Sequence, residues 1–369
     1  MGAPVDPARS TRTAPHANPM GTEGLAFIEF SAHDPAALEK LFTSLGFVKT
    51  ATHNSGNLSV WTQNEIKFLL NSDAQSHGGR FAAEHGSGIS GIGFKVGDAA
   101  KAFEKAIALG ARAADAVTAI QTPVLDGIGG SLLYLIDNKA EAEMNTRCSP
   151  TGQTASRKSV GSFSAVDHLT HNVCAGNLQK WADFYKDLFG FREIFYLDMR
   201  GSSTGFRTCA LMSPCDGICI PINEPTDARS QIQEFIDIFK GEGVQHIALA
   251  TTDIHASVEN VAGSGISFMQ VPNTYYDAID TRLESHGEDL ERLKRNAILL
   301  DGERSKSGGW DLLLQIFSKN LIGPIFFEFI QRKGNTGFGE GNARALFDAI
   351  ERDQIERGFV LSVTQTAGG

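Results

Sequence analysis

The sequence predicts an α+β protein: four repeated βαβββ modules forming two open β-barrels with helices outside, plus a C-terminal helix over the second barrel. Three observations carry this. Short runs rich in aromatic and β-branched residues alternate with stretches of helical spacing. Matching marks, Gly46-Phe47 with Gly190-Phe191 and Asp98 with Asp253, set a second copy of the layout after the first. The length, 369 residues, suits two domains or one internally repeated unit.

Residues 1–20 are rich in Pro, Ala, Thr and Arg with little periodicity and read as a flexible arm. Leu25-Ala26-Phe27-Ile28-Glu29-Phe30 opens the first module as a strand. A helix over Pro35 to Leu45 follows, with Leu38, Leu41, Phe42 and Leu45 on one face and Gly46 closing it. Leu58–Thr62 and Ile66–Leu70 are strands. The second module has a strand at Gly91–Val96, a helix capped by Asp98 and ended by Gly110, and a strand at Leu132–Ile136. Residues 139–162 are polar and read as a linker, so the domains are 21–150 and 151–369.

The third module repeats the first. It has a strand at Val166–Val173 and a helix whose stripe is Leu178, Trp181, Phe184, Tyr185 and Leu188. Strands follow near Glu193–Asp198, Cys209–Met212 and Ile218–Ile222. The fourth has a strand at Gln245–Ala250, a helix capped by Asp253, and strands near Leu312–Phe317 and Ile325–Ile330.

Composition narrows the function. Net charge is -10, which argues against a general nucleic-acid surface. No apolar run is long enough to span a membrane, and the start lacks the apolar stretch of a signal peptide. The five cysteines are odd in number and include no CxxC, so neither a disulfide framework nor a zinc ribbon is expected, and a cytoplasmic setting is. Cys215 and Cys219 read as buried thiols.

One stretch carries chemistry. In Phe326-Phe327-Glu328-Phe329-Ile330 the side chains alternate, so Phe326, Glu328 and Ile330 share one face and Phe327 and Phe329 the other. Neither face looks like a solvent face, and an enclosed carboxylate must be paired with a cation such as Arg332, protonated, or bound to a metal. Laying one half on the other sets His168 opposite Gly24, His246 opposite Gly91 and Glu328 opposite Tyr134. Metal-capable residues thus stand at these strand positions in the second half only. Two imidazoles and a carboxylate from three strands can form a 2-His-1-carboxylate face that leaves three positions of an octahedral ion open. Spacing alone does not name the metal. His171 lies on the opposite strand face from His168 and reads as structural, as do His255 and His286.

From about Asn18 to Val360 the chain resembles the 4-hydroxyphenylpyruvate dioxygenase family, of the vicinal-oxygen-chelate fold group. The likeness lies in Gly129-Gly130-Ser131-Leu132-Leu133-Tyr134, Pro221-Ile222-Asn223-Glu224-Pro225, Val244-Gln245-His246-Ile247-Ala248, Phe327-Glu328-Phe329-Ile330-Gln331-Arg332 and Gly337-Phe338-Gly339-Glu340-Gly341-Asn342. The resemblance implies one Fe(II) per chain on His168, His246 and Glu328. It implies catalytic roles for Gln245, Gln315 and Asn223, and a substrate pocket of Thr208, Pro221, Asn223, Gln231, Gln245, Gln315, Phe317, Phe326, Phe338 and Asn342. Neutral amides give and accept hydrogen bonds without competing with a metal for a keto-acid carboxylate. The implied reaction takes 4-hydroxyphenylpyruvate and O2 to homogentisate and CO2, in a homo-oligomer, a dimer or tetramer, without nucleic-acid or membrane partners. Hydroxymandelate synthase, and a non-catalytic binding protein of the same fold, are the alternatives; the Pro221-x-Asn223 pair resembles the dioxygenase pattern. Two positions depart from the family: Thr208 where Ser is usual, and Ala343 where Phe is usual. The tail reads as a lid, with Asn342 capping a helix that carries Leu346, Phe347 and Ile350, and Gly337, Gly339 and Gly341 as its hinge. A Gly337-Phe338-Gly339 dinucleotide loop is rejected, because Asn342 stands where the third glycine would be.

Overall fold

The computed structural model describes residues 17–154, 162–200, 204–344 and 347. Among them two sheets of eight strands form the frame. The first holds β1 (Thr22–Ser31), β2 (Val48–His53), β3 (Leu58–Gln63), β4 (Ile66–Asn71), β5 (Gly88–Val96), β6 (Val124–Asp126), β7 (Leu132–Ile136) and β8 (Cys148–Pro150). Its order is β6-β7-β5-β1-β4-β3-β2-β8. The second holds β9 (Phe163–Asn172), β10 (Arg192–Arg200), β11 (Gly205–Met212), β12 (Cys219–Pro225), β13 (Gly243–Thr251), β14 (Leu299–Arg304), β15 (Trp310–Phe317) and β16 (Phe326–Lys333). Its order is β10-β11-β12-β9-β13-β16-β15-β14. In each sheet two modules meet through an antiparallel pair, β1 with β5 and β9 with β13. The end strands of each sheet are not bonded to each other, so both stay open. The α+β reading and its repeat therefore hold, with one exchange: the second module sends its last strand, β8, to the edge at β2.

Local chemistry explains most elements. Asp98 and Asp253 each accept a hydrogen bond from the backbone N–H three residues on, as helix caps do. Leu38 and Phe42 are the buried face of the helix Ala36–Ser44. The helix His77–His85 was not expected, and it carries two glycines, Gly78 and Gly79, in its first turn. They are there because it lies flush on the sheet: a Cβ on Gly78 would stand 2.2 Å from the Ser31 hydroxyl.

Three expectations are corrected. The proposed linker begins inside a helix, Asn138–Thr146, and continues into β8. Asp137 caps that helix, and Ala140 and Met144 drive it into the first sheet. The proposed arm ends too late: Asn18 accepts from the Thr22 N–H at 2.8 Å, and Met20 is buried in the core. Residues 1–16 lie outside the described residues. Helical residues run from 340, so Asn342 is within the first turn and does not cap it. Its side chain turns inward instead, to Gln315. Phe347 is buried, while Leu346 and Ile350 lie outside the described residues.

One face of each sheet feeds a shared core. Phe327 and Phe329 belong to it, as do Ile28 and Phe30. Rings meet across the halves at Phe68–Phe327, Phe94–Phe189 and Phe81–Phe239, with centroids 6.4, 5.3 and 6.0 Å apart. The inner face of the first sheet is filled: Phe27 and Tyr134 pack with Leu58, Ile120 and Met144. The inner face of the second is not, and encloses a cavity of about 110 Å³. No helix among the described residues is long and apolar enough to cross a membrane.

Candidate active site

Three adjacent strands bring the metal candidates together. Ala248 on β13 pairs with His168 on β9 and with Glu328 on β16. His246 lies two residues from Ala248, so its side chain points to the same face. All three residues are buried, and one donor atom from each lies within 4.8 Å of the others. The Glu328 Oε2 is 3.1 Å from the His168 Nε2 and 3.5 Å from the His246 Nε2. Two donors held at right angles about 2.1 Å from one ion stand roughly 3 Å apart. The donor set and its spacing therefore fit a single metal ion.

Each candidate ligand is held from behind. Asp167 Oδ1 lies 2.9 Å from His168 Nδ1, and Gln245 Oε1 lies 3.0 Å from His246 Nδ1. These bonds set the ring orientations and leave both Nε2 atoms toward Glu328. The Thr170 hydroxyl is 2.9 Å from the His246 Nε2. Gln315 Nε2 donates to Glu328 Oε1 at 2.8 Å, and its own carbonyl accepts from Asn342 at 2.8 Å. Tyr275 completes the chain by donating to Asn342 at 2.7 Å. Arg332 does not pair with Glu328. Its guanidinium forks onto Asp167 at 2.8 and 2.9 Å, while the imidazoles and Gln315 meet the Glu328 oxygens.

Burial disfavours an ionised Glu328, but the facing imidazoles outweigh it and hold the carboxyl down at about 2. Burial also disfavours a charged His168, yet Glu328 and Asp167 raise it to about 9. Burial lowers His246, and Glu328, which pulls the other way, does not undo that. A cation binding there would compete with protons for the same donor atoms. On the far face of β9, His171 meets the Tyr185 hydroxyl at 3.0 Å, and burial brings it down to about 3, in keeping with its structural reading.

The cavity gathers most of the residues named from the sequence. Thr208, Pro221, Asn223, Gln231, Gln245, Gln315, Phe317, Phe326 and Phe338 line it together with the three metal candidates. Asn342 is fully buried and reaches the cavity through Gln315. Phe338 stands edge-on to His168 at 6.0 Å, and the Phe326 ring stacks on His246 at 4.7 Å. Sequence reasoning missed Thr170, Phe195, Leu197, Phe206, Ala210 and Ile232, which also line the cavity. Phe195 left no periodic signal, since Ile194, Phe195, Tyr196 and Leu197 are all apolar; only in the folded strand do Ile194 and Tyr196 face out and Phe195 in.

Residues 16–148 match the family described as hydroxyphenylpyruvate dioxygenase, N-terminal, and residues 165–279 the glyoxalase, bleomycin resistance protein and dioxygenase superfamily. The chain is 45% identical over 353 residues to a 4-hydroxyphenylpyruvate dioxygenase of Legionella pneumophila, covering 94% of this chain and 99% of that protein. It is likewise 45% identical over 353 residues to the hemolysin VllY of Vibrio vulnificus, covering 93% and 98%. Among solved structures, a triple mutant of 4-hydroxymandelate synthase from Streptomyces coelicolor superposes with a TM-score of 0.77 at 25% identity, covering 90% of this chain and 99% of that one. With identity at this level over nearly the whole of its relatives, the chain belongs to the 4-hydroxyphenylpyruvate dioxygenase family.

Proposed function

We propose that the protein is a 4-hydroxyphenylpyruvate dioxygenase that holds one Fe(II) per chain on His168, His246 and Glu328 and converts 4-hydroxyphenylpyruvate and O2 to homogentisate and CO2. The observation that carries this is the convergence of two imidazoles and a carboxylate at the end of a cavity lined by neutral amides and aromatic rings. A ferrous ion so held supplies the Lewis acidity and the electrons for O2 chemistry on a chelating keto acid.

The chain supplies position and exclusion. Asp167 and Gln245 hold the two imidazoles by their Nδ1 atoms. Gln315 holds Glu328 and is itself held by Asn342, so a substrate contact at Gln315 is felt by the carboxylate. Gln231, Gln245 and Asn223 offer uncharged partners to the substrate's polar groups, and Phe317, Phe326 and Phe338 are the walls for its ring. Phe347 and the helical residues from 340 close the mouth against water. In this reading residues 21–150 are the half without metal and 151–369 the catalytic half. A cytoplasmic homo-oligomer, dimer or tetramer, completes the proposal.

The test is anaerobic Fe(II) loading, then 4-hydroxyphenylpyruvate and O2, with the product identified. Homogentisate is expected. Hydroxymandelate would assign the chain instead the reaction named for its structural relative from Streptomyces coelicolor.

A further inference from the structure

Arg332 stands four residues beyond Glu328 on the same strand and is only partly exposed. Four of its hydrogen bonds go to two places. Nε and Nη2 donate to the two Asp167 oxygens, at 2.8 and 2.9 Å. Nη1 donates to the carbonyls of Gly337 and Asn335, at 2.7 and 3.4 Å. Asn335 braces the same turn, accepting from the Gly337 N–H at 2.7 Å and donating to the Asp311 carbonyl at 3.2 Å. The residue after Gly337 is Phe338, whose ring stacks on Phe195 and stands against His168. The behaviour of this one guanidinium therefore reaches both the back of a metal candidate and the loop that sets a wall of the cavity.

We infer that Arg332 is a positioning residue that locks two things together: the orientation of His168, through Asp167, and the placement of Phe338, through the 334–339 turn. The planar fork is what makes this possible. A guanidinium presents five donors in fixed directions, enough for a bidentate carboxylate and two carbonyls at once; an ammonium is a compact point charge that cannot hold both. The Asp167–Arg332 pair also borders a second cavity, about 570 Å³, between the two halves. A single-point ion pair open to water there would hold little, whereas a fork tied on both sides keeps its geometry.

The inference rests on the metal reading above, and the experiment separates the two. Arg332→Lys keeps the charge and removes the fork; Asp167→Asn keeps the shape and removes the charge that draws the fork. Hydrogen exchange of residues 334–339 is followed in metal-free protein, and Co(II) binding is followed by its visible absorption. Each single variant is expected to speed exchange in the turn about tenfold or more and to weaken Co(II) by about 10–100-fold, the usual loss for a group that orients a ligand. The double variant is expected to be no worse than either, because the two residues act as one unit. Parent-like exchange in both single variants, or Co(II) losses that add in the double variant, overturns the coupling. If Co(II) fails to bind the parent protein, the metal reading is what fails, and the exchange comparison still decides the coupling.

Discussion

Glu29 and Glu328 are buried carboxylates on the inner faces of the two sheets, and their ionisation runs in opposite directions. Burial raises Glu29, and the bonds it accepts from Tyr134 and Asn71, both neutral, do not undo that. Burial acts the same way on Glu328, but His168 and His246 reverse it. The register explains the difference. β1 and β9 share length and burial pattern and pair in the same way with β5 and β13, so Phe27 corresponds to His168 and Glu29 to Thr170. Gly91 corresponds to His246, and Tyr134 to Glu328. Where the second half sets three donors around a space, the first sets a ring, a hydrogen atom and a phenol, with Ile120 and Met144 filling the rest. A buried carboxylate becomes a candidate ligand only when other strands bring it partners of the right chemistry.

The largest expected effect breaks the equivalence outright. His246→Ala removes one of three ligands, and turnover to homogentisate should fall by on the order of 10³ or more. Glu29→Ala, the matching loss of a buried polar group in the other half, should leave turnover per folded, iron-loaded molecule within about threefold, since it touches neither cavity nor metal. Comparable losses from both would mean the halves work as one centre. Stability should show the reverse pattern at Gly91. A Cβ there would lie 2.7 Å from the Tyr134 ring and 2.9 Å from Glu29 Oε2. Gly91→Ala should cost about 1–3 kcal/mol in urea unfolding by overpacking, with Co(II) affinity unchanged.

A finer test uses pH on metal-free protein. Glu29 has a folded pKa above its ordinary 4.5, so its stabilising contribution is full below that pH and is lost as pH rises past it. Glu328 has a folded pKa near 2, so its contribution is full above 4.5 and is lost as pH falls from 4.5 toward 2. Glu29→Gln should therefore flatten the stability profile on its rising-pH side, and Glu328→Gln on its falling-pH side. Each change is at most ~1.4 kcal/mol per pH unit, the value for one proton. Urea midpoints measured from pH 3 to 8 decide it, and slopes of the same sign would end the contrast.

The two glutamates also show how far the sequence could be read. Leu25-Ala26-Phe27-Ile28-Glu29-Phe30 and Phe326-Phe327-Glu328-Phe329-Ile330 are the same local pattern, a carboxylate in an apolar strand. Nothing local tells them apart, and only the residues facing them do. The repeat supplied those for Glu328 and His246, which the register pairs with Tyr134 and Gly91 as expected. It failed for His168, which was set opposite Gly24 and stands opposite Phe27. The connection after the strand is three residues longer in the second half (Asn172 to Gly190 against Ser31 to Gly46): one lies in the loop before the helix and two within the helix, whose last part is a π-turn at Phe184–Leu188. The Asp167–Arg332 fork was hidden for another reason. A strand residue four positions from Glu328 reads as its own partner, and the 165-residue separation of the real pair leaves no periodic trace.

The smallest expected effect concerns how full the second half can become. Ala343 lines the cavity together with Phe347 and Phe206, on the helical stretch that begins at 340. The first half packs its inner face with Ile120 and Met144. Ala343→Phe moves the second half one step toward that state, but from the mouth and not from the metal. A ring at the mouth can stack on the substrate's ring, a contact worth about 0.5–1.5 kcal/mol. The expected result is a KM for 4-hydroxyphenylpyruvate, and a Kd for a triketone inhibitor, lower by roughly two- to tenfold, with kcat nearly unchanged, since the gain is equal in ground and transition states. Unchanged affinity for both would mean that residue 343 does not meet the bound ring; a higher KM would mean that the added ring fills the cavity as Ile120 and Met144 fill the other, and that the open mouth is itself a requirement of binding.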